Sequence, residues 1–316
     1  MGKSKNVLIS IIVPLYNEEQ NILKLIKNIS KQTFKSFEVV FIDDGSLDNT
    51  AELINKNAGK YFRYQYYWKN NGGVGSARNF GIQISEGKYI TFLDADDYYD
   101  ETFLEKMFKK ICLENTNFCF CGYNLNTQNG IKRIKTVFPK ENLLQLYWLG
   151  KLKVHTDSWI IDKTFLLKNE IFFLETTNWG EDFYFFSKLL KESNNSSYVN
   201  EYLTYYSYDL EDNRLSVNSF DKLEKDVLLI KNVLELLEIQ KDERLYRILW
   251  NYRLPTMIMN RLIWLLEDSK NRSKVEKARE KYADYVKVSI SYGSSSFKQI
   301  IRYLQLFTLL KVNNRR

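Results

Sequence analysis

The sequence contains few residues that break or bend a backbone, with 3 prolines and 13 glycines among 316 residues. No Pro-rich or Gly-rich linker is therefore expected, and the length suffices for one large domain or two smaller ones. Aromatic residues are abundant instead, with 22 tyrosines and 20 phenylalanines. A sizeable core is available, and the composition is not that of a disordered chain.

Cysteine is also scarce. The 3 cysteines, Cys112, Cys119 and Cys121, are odd in number and lack the spacing of a zinc site. This pattern indicates reduced thiols in a cytoplasmic protein rather than a disulfide framework.

Long apolar runs are missing, since no stretch reaches the roughly 18 residues of a membrane-spanning helix. The apolar run from Val7 to Val13 is short and ends at Pro14, so we expect no signal peptide. The net charge of +7 leaves three kinds of partner open, which are nucleic acid, an anionic membrane surface and a phosphate-bearing substrate.

Three carboxylates stand together where an apolar run ends, because Asp94, Asp96 and Asp97 follow the segment Tyr89–Leu93. The β-branched and aromatic residues of this segment predict a short buried strand. Asp94 and Asp96 are two apart, so on extended backbone they point the same way. Paired hard oxygen ligands suit Mg²⁺ or Mn²⁺. An acidic turn that caps the following helix is the alternative.

The first hundred residues alternate between apolar runs and amphipathic segments. Strands are predicted at 7–13, 37–42, 61–68 and 89–93, and helices at 21–30, 50–57 and 76–85. This order predicts an α/β fold with a doubly wound, mostly parallel sheet. In such sheets ligands bind at the carboxyl ends of the strands, where the polar clusters of this sequence fall.

Two familiar phosphate-binding motifs are not found at these strand ends. The first turn, PLYNEE at 14–19, contains no glycine, and the glycine loop at 72–75 lacks a third spaced glycine and a P-loop lysine. A dinucleotide or Walker-type site is therefore disfavoured.

Four linked motifs resemble the nucleotide-binding half of the family 2 glycosyltransferases, which have a GT-A fold. They read SIIVPLYNEE, FIDDGSLDNT, NGGVGSARNFGI and GKYITFLDADD, and their order and spacing match over about the first hundred residues. The segment WGEDF at 179–183 is similar to the ED motif of the family. The resemblance implies a GT-A catalytic domain at 1–220, divided into a nucleotide-binding half at 1–100 and an acceptor-binding half at 101–220. A C-terminal helical region would follow at 221–316.

The resemblance also implies an activity. The expected enzyme is an inverting, metal-dependent hexosyltransferase that uses Mn²⁺ or Mg²⁺ and a UDP-sugar donor. Its acceptor would be a glycan or lipid-linked glycan of a bacterial surface polymer. The expected location is the cytoplasm, with the inner face of the cell membrane as a place of peripheral attachment.

The site residues follow from the same resemblance. Nucleotide-sugar binding is expected from Pro14, Tyr16, Asn17, Glu18, Asp44, Arg78, Asp94 and Ala95, metal binding from Asp96 and Asp94, catalysis from Asp182 and Glu181, and acceptor contacts from His155 and Trp179. A carboxylate such as Asp44 can accept the ring N–H of uracil, whereas Asp43 is expected to cap the next turn. Asp182 is the expected base, although acids at a helix N-terminus are also favoured by the helix dipole alone.

Two departures from the family pattern leave the contacts to the diphosphate open. Ile160 follows Trp159 where a lysine is frequent, and Tyr206 stands where an arginine is usual. Arg214 is a candidate to substitute for these missing cations.

The C-terminal hundred residues are helix-patterned at 223–237 and 244–266, with a break or kink expected at Pro255. The tail from Lys298 combines apolar residues at helical spacing with basic residues and no acid. It predicts either a helix for an anionic membrane surface or a helix docked on the core or in an oligomer interface.

Two other functions compete with sugar transfer. A metal-dependent nucleotidyltransferase also uses strand-end carboxylates, but it would need a glycine-rich, basic first turn. A non-enzymatic basic binding protein would fit the charge, but nucleic acid is disfavoured because no basic, aromatic-studded strand face is present.

Overall fold

A computed structural model describes residues 7–177, 179–193, 195–208 and 219–312. The chain divides into two compact units, one of Met1–Glu141 with Lys153–Asp212 and the other of Asn142–Leu152 with Asn213–Arg316. The domains predicted at 1–220 and 221–316 stay predictions.

The first unit holds all strands found in the described residues. They are β1 Ile9–Leu15, β2 Phe37–Asp43, β3 Arg63–Trp68, β4 Tyr89–Phe92, β5 Tyr98–Tyr99, β6 Phe118–Thr127, β7 Gly130–Arg133, β8 Trp159–Asp162 and β9 Ser196–Ser207. The α-helices are α1 Ile22–Ser30, α2 Thr50–Asn57, α3 Val74–Ile84, α4 Phe103–Glu114, α5 Leu143–Trp148, α6 Lys163–Lys168, α7 Glu181–Glu192, α8 Asp221–Leu236, α9 Arg244–Ile248, α10 Leu254–Leu265, α11 Arg272–Lys281 and α12 Ser294–Val312. Helix α5 and helices α8 to α12 belong to the second unit.

The elements predicted for the first hundred residues are confirmed, with ends that differ by one or two residues. Helix α2 has the predicted bounds, and α1 buries the apolar face that its periodicity indicates. Every residue of β1 and β2 is buried, as expected for strands covered on both faces.

The sheet has the strand order β3-β2-β1-β4-β8-β6-β9-β5, with β7 paired to β6. Strands β1 to β4 pair in parallel, whereas β8 is antiparallel to both of its neighbours, β4 and β6. Because β8 runs the opposite way, the residues just before it lie beside the residues just after β4. This edge of the sheet, which we call the carboxyl edge, carries the candidate site residues.

Helix α3 packs closely on the sheet and on the chain that precedes α7. A Cβ at Gly81 would stand 2.4 Å from Cγ2 of Ile12, so the helix approaches β1 at a distance that only glycine permits. The side chain of Asn79 donates to the carbonyl of Phe173 at 2.9 Å and accepts from the Phe173 N–H at 2.8 Å. These contacts hold the segment before α7 against α3.

In the second unit, a break or kink was expected at Pro255, and the helical backbone continues past this residue without a break. A π-helical turn at Leu249–Arg253 joins α9 to α10, and Pro255 lies in the first turn of α10. The carbonyl of Tyr252 accepts from the Thr256 hydroxyl at 2.7 Å and from the side-chain amide of Gln299 at 3.1 Å. The irregular turn before the proline therefore takes the place of an interruption.

Helix α12 packs against α10 within the same unit. Gln299, Leu306 and Leu310 are buried, while Phe297 and Leu304 are about 64% and 58% exposed. The docked interpretation is therefore confirmed for one face, and a second apolar face remains exposed. Among the described residues, no helix has both the length and the apolar character needed to cross a membrane.

Candidate active site

An ion-pair bridge of three side chains crosses the carboxyl edge. Nη2 of Arg78, on α3, donates to both oxygens of Asp94 at 2.8 and 3.1 Å, just after β4. Nη1 of Arg78 lies 3.5 Å from Oε1 of Glu181, the first residue of α7. Arg78 thus connects the end of β4 to the start of α7.

Arg78 is only 3% exposed, and its guanidinium lies over the Phe173 ring at 5.2 Å. Burial alone would lower its pKa, but Asp94 and Glu181 overcome this effect and raise it. Burial would in turn raise the pKa of Asp94, and the neighbouring Arg78 lowers it instead. The pair is therefore fully charged at neutral pH.

Glu181 and Asp182 occupy the first turn of α7, after Gly180 with φ 75°. Burial and the adjacent Asp182 raise the pKa of Glu181 to about 7. The Phe183 N–H donates to Oδ1 of Asp182 at 2.7 Å, and both acids are partly exposed. Trp179 lies two residues before Glu181. Its N–H donates to the Thr177 hydroxyl at 3.0 Å, and its carbonyl accepts from that hydroxyl at 3.2 Å.

The two acids that end β2 have different partners. Asp43 accepts from the Ser46 N–H at 2.7 Å, so its predicted capping role is confirmed. Asp44 accepts from Lys69 at 2.5 Å and from the N–H groups of Gly72 and Gly73 at 2.9 and 2.7 Å. Asp44 therefore organises the glycine loop ahead of α3, whatever else it binds.

The turn after β1 carries the predicted base-binding residues. Pro14 pairs within the sheet, whereas Tyr16 is 51% exposed. Asn17 adopts φ 56° and accepts from the Leu47 N–H at 2.9 Å. Burial raises the pKa of Glu18 to about 7, and the nearby Asp96 and Asp94 add to this rise.

A second acidic cluster lies beside the first. Asp97 and Asp157 are 3% and 1% exposed, and Nδ1 of His155 lies 3.8 and 3.6 Å from one oxygen of each. One nitrogen of His155 and one oxygen of each acid all lie within 4.8 Å of one another. Burial and the adjacent carboxylate raise the pKa of Asp97 well above its usual value, and burial does the same for Asp157.

The structure brings together most of the predicted residues near the ends of β1, β2 and β4 and the start of α7. Half-buried Asp96 and buried Ala95 lie between Asp94 and Asp97 in this acidic turn. Arg214 lies outside the described residues. Tyr206 stands where the family usually has an arginine. Its ring stacks on His155, with 4.5 Å between the ring centroids.

Sequence reasoning missed Asp157, Asn79 and Phe173. Asn79 stands inside the quoted motif NGGVGSARNFGI, one residue after Arg78, so its position gave a signal. Asp157 and Phe173 lie in no motif, and their roles depend on chain segments that are distant in sequence.

Comparisons with known proteins place the chain in a family. The model of glycosyl transferase family 2 matches residues 10–193. Poly(ribitol-phosphate) beta-N-acetylglucosaminyltransferase TarS of Staphylococcus aureus is 30% identical over 216 residues, which are 66% of this chain and 36% of TarS. An uncharacterized glycosyltransferase of Rickettsia bellii is 42% identical over 146 residues, which are 43% of this chain and 21% of that protein. The matches thus span well under two thirds of these relatives.

Solved structures agree on the fold. TarS 1–349 in complex with UDP-GlcNAc has a TM-score of 0.68 at 20% identity, covering 98% of this chain and 92% of that chain. Mannosyltransferase PcManGT from Pyrobaculum calidifontis, in complex with GDP-Man and Mn²⁺, has a TM-score of 0.59 at 14% identity, with coverages of 95% and 85%. The predicted GT-A type fold is confirmed, and the chain belongs to glycosyl transferase family 2.

Proposed function

We propose that this chain transfers a sugar from a nucleoside diphosphate donor to an acceptor hydroxyl, with inversion at the anomeric carbon. The observation that carries the proposal is the bridge from Asp94 through Arg78 to Glu181, which sets the acids of β4 beside the acids of α7. Family membership favours this function over a nucleotidyltransferase or a non-enzymatic binding protein.

The donor is a UDP-sugar, and UDP-GlcNAc is the first to test because the similar TarS structure binds it. Tyr16 supplies an exposed ring for the base, with Pro14 and Asn17 shaping the turn that carries it. Asp44 faces the uracil edge, and the hydrogen bonds that it accepts from the glycine loop orient its carboxylate.

The ribose and diphosphate lie over the acidic turn after β4, with Glu18 and Ala95 beside them. Asp94 contacts the ribose or shares the metal, and Arg78 orients its carboxylate by donating to both of its oxygens. Asp96 is the proposed direct ligand of Mn²⁺ or Mg²⁺, since its half-buried carboxylate in the turn after β4 is a hard oxygen donor. A bound divalent ion stabilises negative charge on a leaving diphosphate.

Asp182 takes the proton of the acceptor hydroxyl as that oxygen attacks the anomeric carbon from the face opposite the diphosphate. The bond between this carbon and the diphosphate oxygen breaks, and the leaving group keeps the electron pair. Glu181 is a positioning residue, since its contact with Arg78 fixes the first turn of α7.

The acceptor is a glycan or lipid-linked glycan, received on the side of Trp179 and His155. A lipid-linked acceptor would place the enzyme at an anionic membrane surface, to which the exposed face of α12 is suited.

A donor panel tests the function. UDP-, GDP- and TDP-sugars are incubated with the protein and Mn²⁺, and nucleoside diphosphate release is measured with and without candidate glycan acceptors. We expect release from UDP-sugars that Asp182→Asn strongly reduces. Equal release by the wild type and Asp182→Asn would count against the proposal.

A further inference from the structure

We propose that Asp97, His155 and Asp157 form a binding site for a divalent transition-metal ion. The site lies beside Asp96, the metal ligand proposed above, and shares no residue with that proposed ligand set. It does not depend on sugar transfer, because ion binding can be measured without a nucleotide.

The first support is that buried carboxylate oxygens of Asp97 and Asp157 have no hydrogen-bond donor in the part of the chain that the structure describes. Among the described residues, neither oxygen of Asp157 has a hydrogen-bond partner, and the same holds for Oδ2 of Asp97. Both side chains are about 1% exposed, so bulk water does not reach them. A buried carboxylate of this kind needs a proton or a cation.

The second support is the spacing of the three donors. Nδ1 of His155 lies 3.8 Å from Oδ2 of Asp97 and 3.6 Å from Oδ2 of Asp157. These distances are too long for hydrogen bonds, which end near 3.2 Å. Two ligands at about 2.1 Å from one ion are separated by roughly 3 to 4 Å, so the donors have the spacing of a shared cation.

The surrounding contacts hold the ligands in place. The Ser207 N–H donates to Oδ1 of Asp97 at 2.7 Å, which leaves Oδ2 facing His155. The ring of Tyr206 stacks on the imidazole at 4.5 Å. Partners of this kind orient the ligands in protein metal sites.

The local charge also calls for a cation. Arg78 makes its close ion pairs with Asp94 and Glu181, and among the described residues it forms none with Asp97 or Asp157. Its charge acts on Asp157 from a greater distance, where burial still raises the pKa of Asp157. One imidazole and two carboxylates suit Mn²⁺ or Zn²⁺ better than Mg²⁺ or Ca²⁺, which prefer oxygen ligands alone. A bound ion would tie the turn that carries Asp96 to the turn before β8.

The test uses Mn²⁺ alone, without nucleotide, on protein purified through a tag that contains no histidine. His155 is the single histidine of the chain, so an imidazole ¹⁴N signal in the pulsed electron paramagnetic resonance of bound Mn²⁺ reports this residue. We expect one such Mn²⁺ per chain. His155→Gln should abolish the nitrogen signal, and Asp157→Asn should weaken Mn²⁺ binding at least tenfold.

Two controls make the result specific. Glu38→Gln changes another buried carboxylate, on β2, and should leave the nitrogen signal intact, as should Asp96→Asn. Circular dichroism in the presence of a chelator checks that each variant folds. If Asp157→Asn does not fold, His155→Gln decides the test, because His155 is partly exposed and its replacement disturbs the core less.

The inference would be overturned if bound Mn²⁺ gave no nitrogen signal. It would also be overturned if the wild type, His155→Gln and Asp157→Asn bound Mn²⁺ with equal affinity. Asp97 and Asp157 would then share a proton instead. If the wild type shows the nitrogen signal but transfers no sugar in the donor panel, the proposed function is refuted and the proposed ion site is supported.

Discussion

Arg78 is the residue on which the arrangement of the acidic edge depends. It is buried and holds Asp94 and Glu181, which belong to different elements. Removing one partner of a buried ion pair costs about 3–5 kcal/mol, because the remaining charge is left uncompensated. Arg78 therefore links the turn after β4 to the first turn of α7, and its contact with a nucleotide stays a prediction.

Asp96→Asn should abolish Mn²⁺-dependent binding of UDP and leave the fold intact. The amide keeps the shape of the side chain and removes the charge that a hard cation requires. Calorimetric titration of UDP with and without Mn²⁺ measures this. Unchanged Mn²⁺-dependent affinity would remove Asp96 from the metal site.

Asp182→Asn should retain donor affinity and lower the transfer rate roughly a hundredfold or more, since an amide cannot take up the acceptor proton. Glu181→Gln is the matched control, with a smaller effect expected from a positioning residue. Normal turnover by Asp182→Asn would shift the role of base to Glu181 or His155.

Glu181 should make the stability of the protein fall as pH rises. Its pKa is about 7 in the folded protein and 4.5 ordinarily, so between these values the unfolded chain has lost a proton that the folded chain keeps. The free energy of unfolding therefore declines across this window, by roughly 3 kcal/mol in total. Below pH 4.5 Glu181 is protonated in both the folded and the unfolded state, so it adds no pH dependence to the free energy of unfolding.

Urea denaturation of the wild type and Glu181→Gln checks this prediction. The glutamine cannot ionise, so the stability of the variant relative to the wild type should increase from about pH 4.5 to about pH 8. Glu101→Gln, which alters an exposed carboxylate, is the control. A difference that does not change with pH would contradict the expectation.

At the scale of elements, the seating of α3 positions the site. A Cβ at Gly81 would stand 2.4 Å from Cγ2 of Ile12, which is fully buried. Overpacking costs up to about 3 kcal/mol, which exceeds the roughly 1 kcal/mol that alanine gains over glycine in a helix. Gly81→Ala should therefore destabilise the protein by about 2 kcal/mol in urea denaturation.

Gly59→Ala serves as the control for that substitution. Its Cβ would have only one neighbour within 4 Å, a tyrosine ring carbon at 3.4 Å, so little change is expected. Equal stability of the two variants would show that α3 shifts on the sheet without cost.

Helix α12 has two apolar faces, and the exposed one predicts membrane binding. Phe297, Ile301 and Leu304 follow helical spacing on this face, with Lys298 and Arg302 beside them. Each basic residue near an anionic surface contributes on the order of 1 kcal/mol, which salt weakens, whereas the apolar contribution persists.

Co-sedimentation with anionic and neutral liposomes measures this binding. Serine at Phe297, Ile301 and Leu304 should abolish it without disturbing the face that packs on α10. Serine at Leu47 and Leu113, exposed on the first unit, is the control. Unchanged sedimentation of the α12 variant would refute the membrane role, and a change in particle mass would indicate an oligomer interface.

At the scale of the whole molecule, the net charge of +7 contrasts with the acidic carboxyl edge. A positive net charge raises the local concentration of anionic molecules, whereas a cluster of carboxylates repels them unless a cation is bound. For the proposed nucleoside diphosphate donor, we therefore predict that the cation binds first.

The sequence by itself determined the elements of the first hundred residues and the main site motifs. Apolar runs and helical stripes are local patterns, and they predicted β1 to β4 and α1 to α3 within one or two residues at the ends. Strand-end acids were predictable because parallel strands bring their carboxyl ends to one edge. The identity of the family followed from the same four motifs.

Only the tertiary structure decided which distant residues meet. Asp157 reaches Asp97 and Arg78 reaches Glu181 because β8 enters the sheet antiparallel to β4 and because Asn79 holds the segment before α7. The position of β8 in the sheet depends on pairing between strands that are distant in sequence, which local periodicity cannot predict. For the same reason α12 could be predicted as amphipathic from its sequence, but which apolar face packs and which stays exposed is settled by its contact with α10.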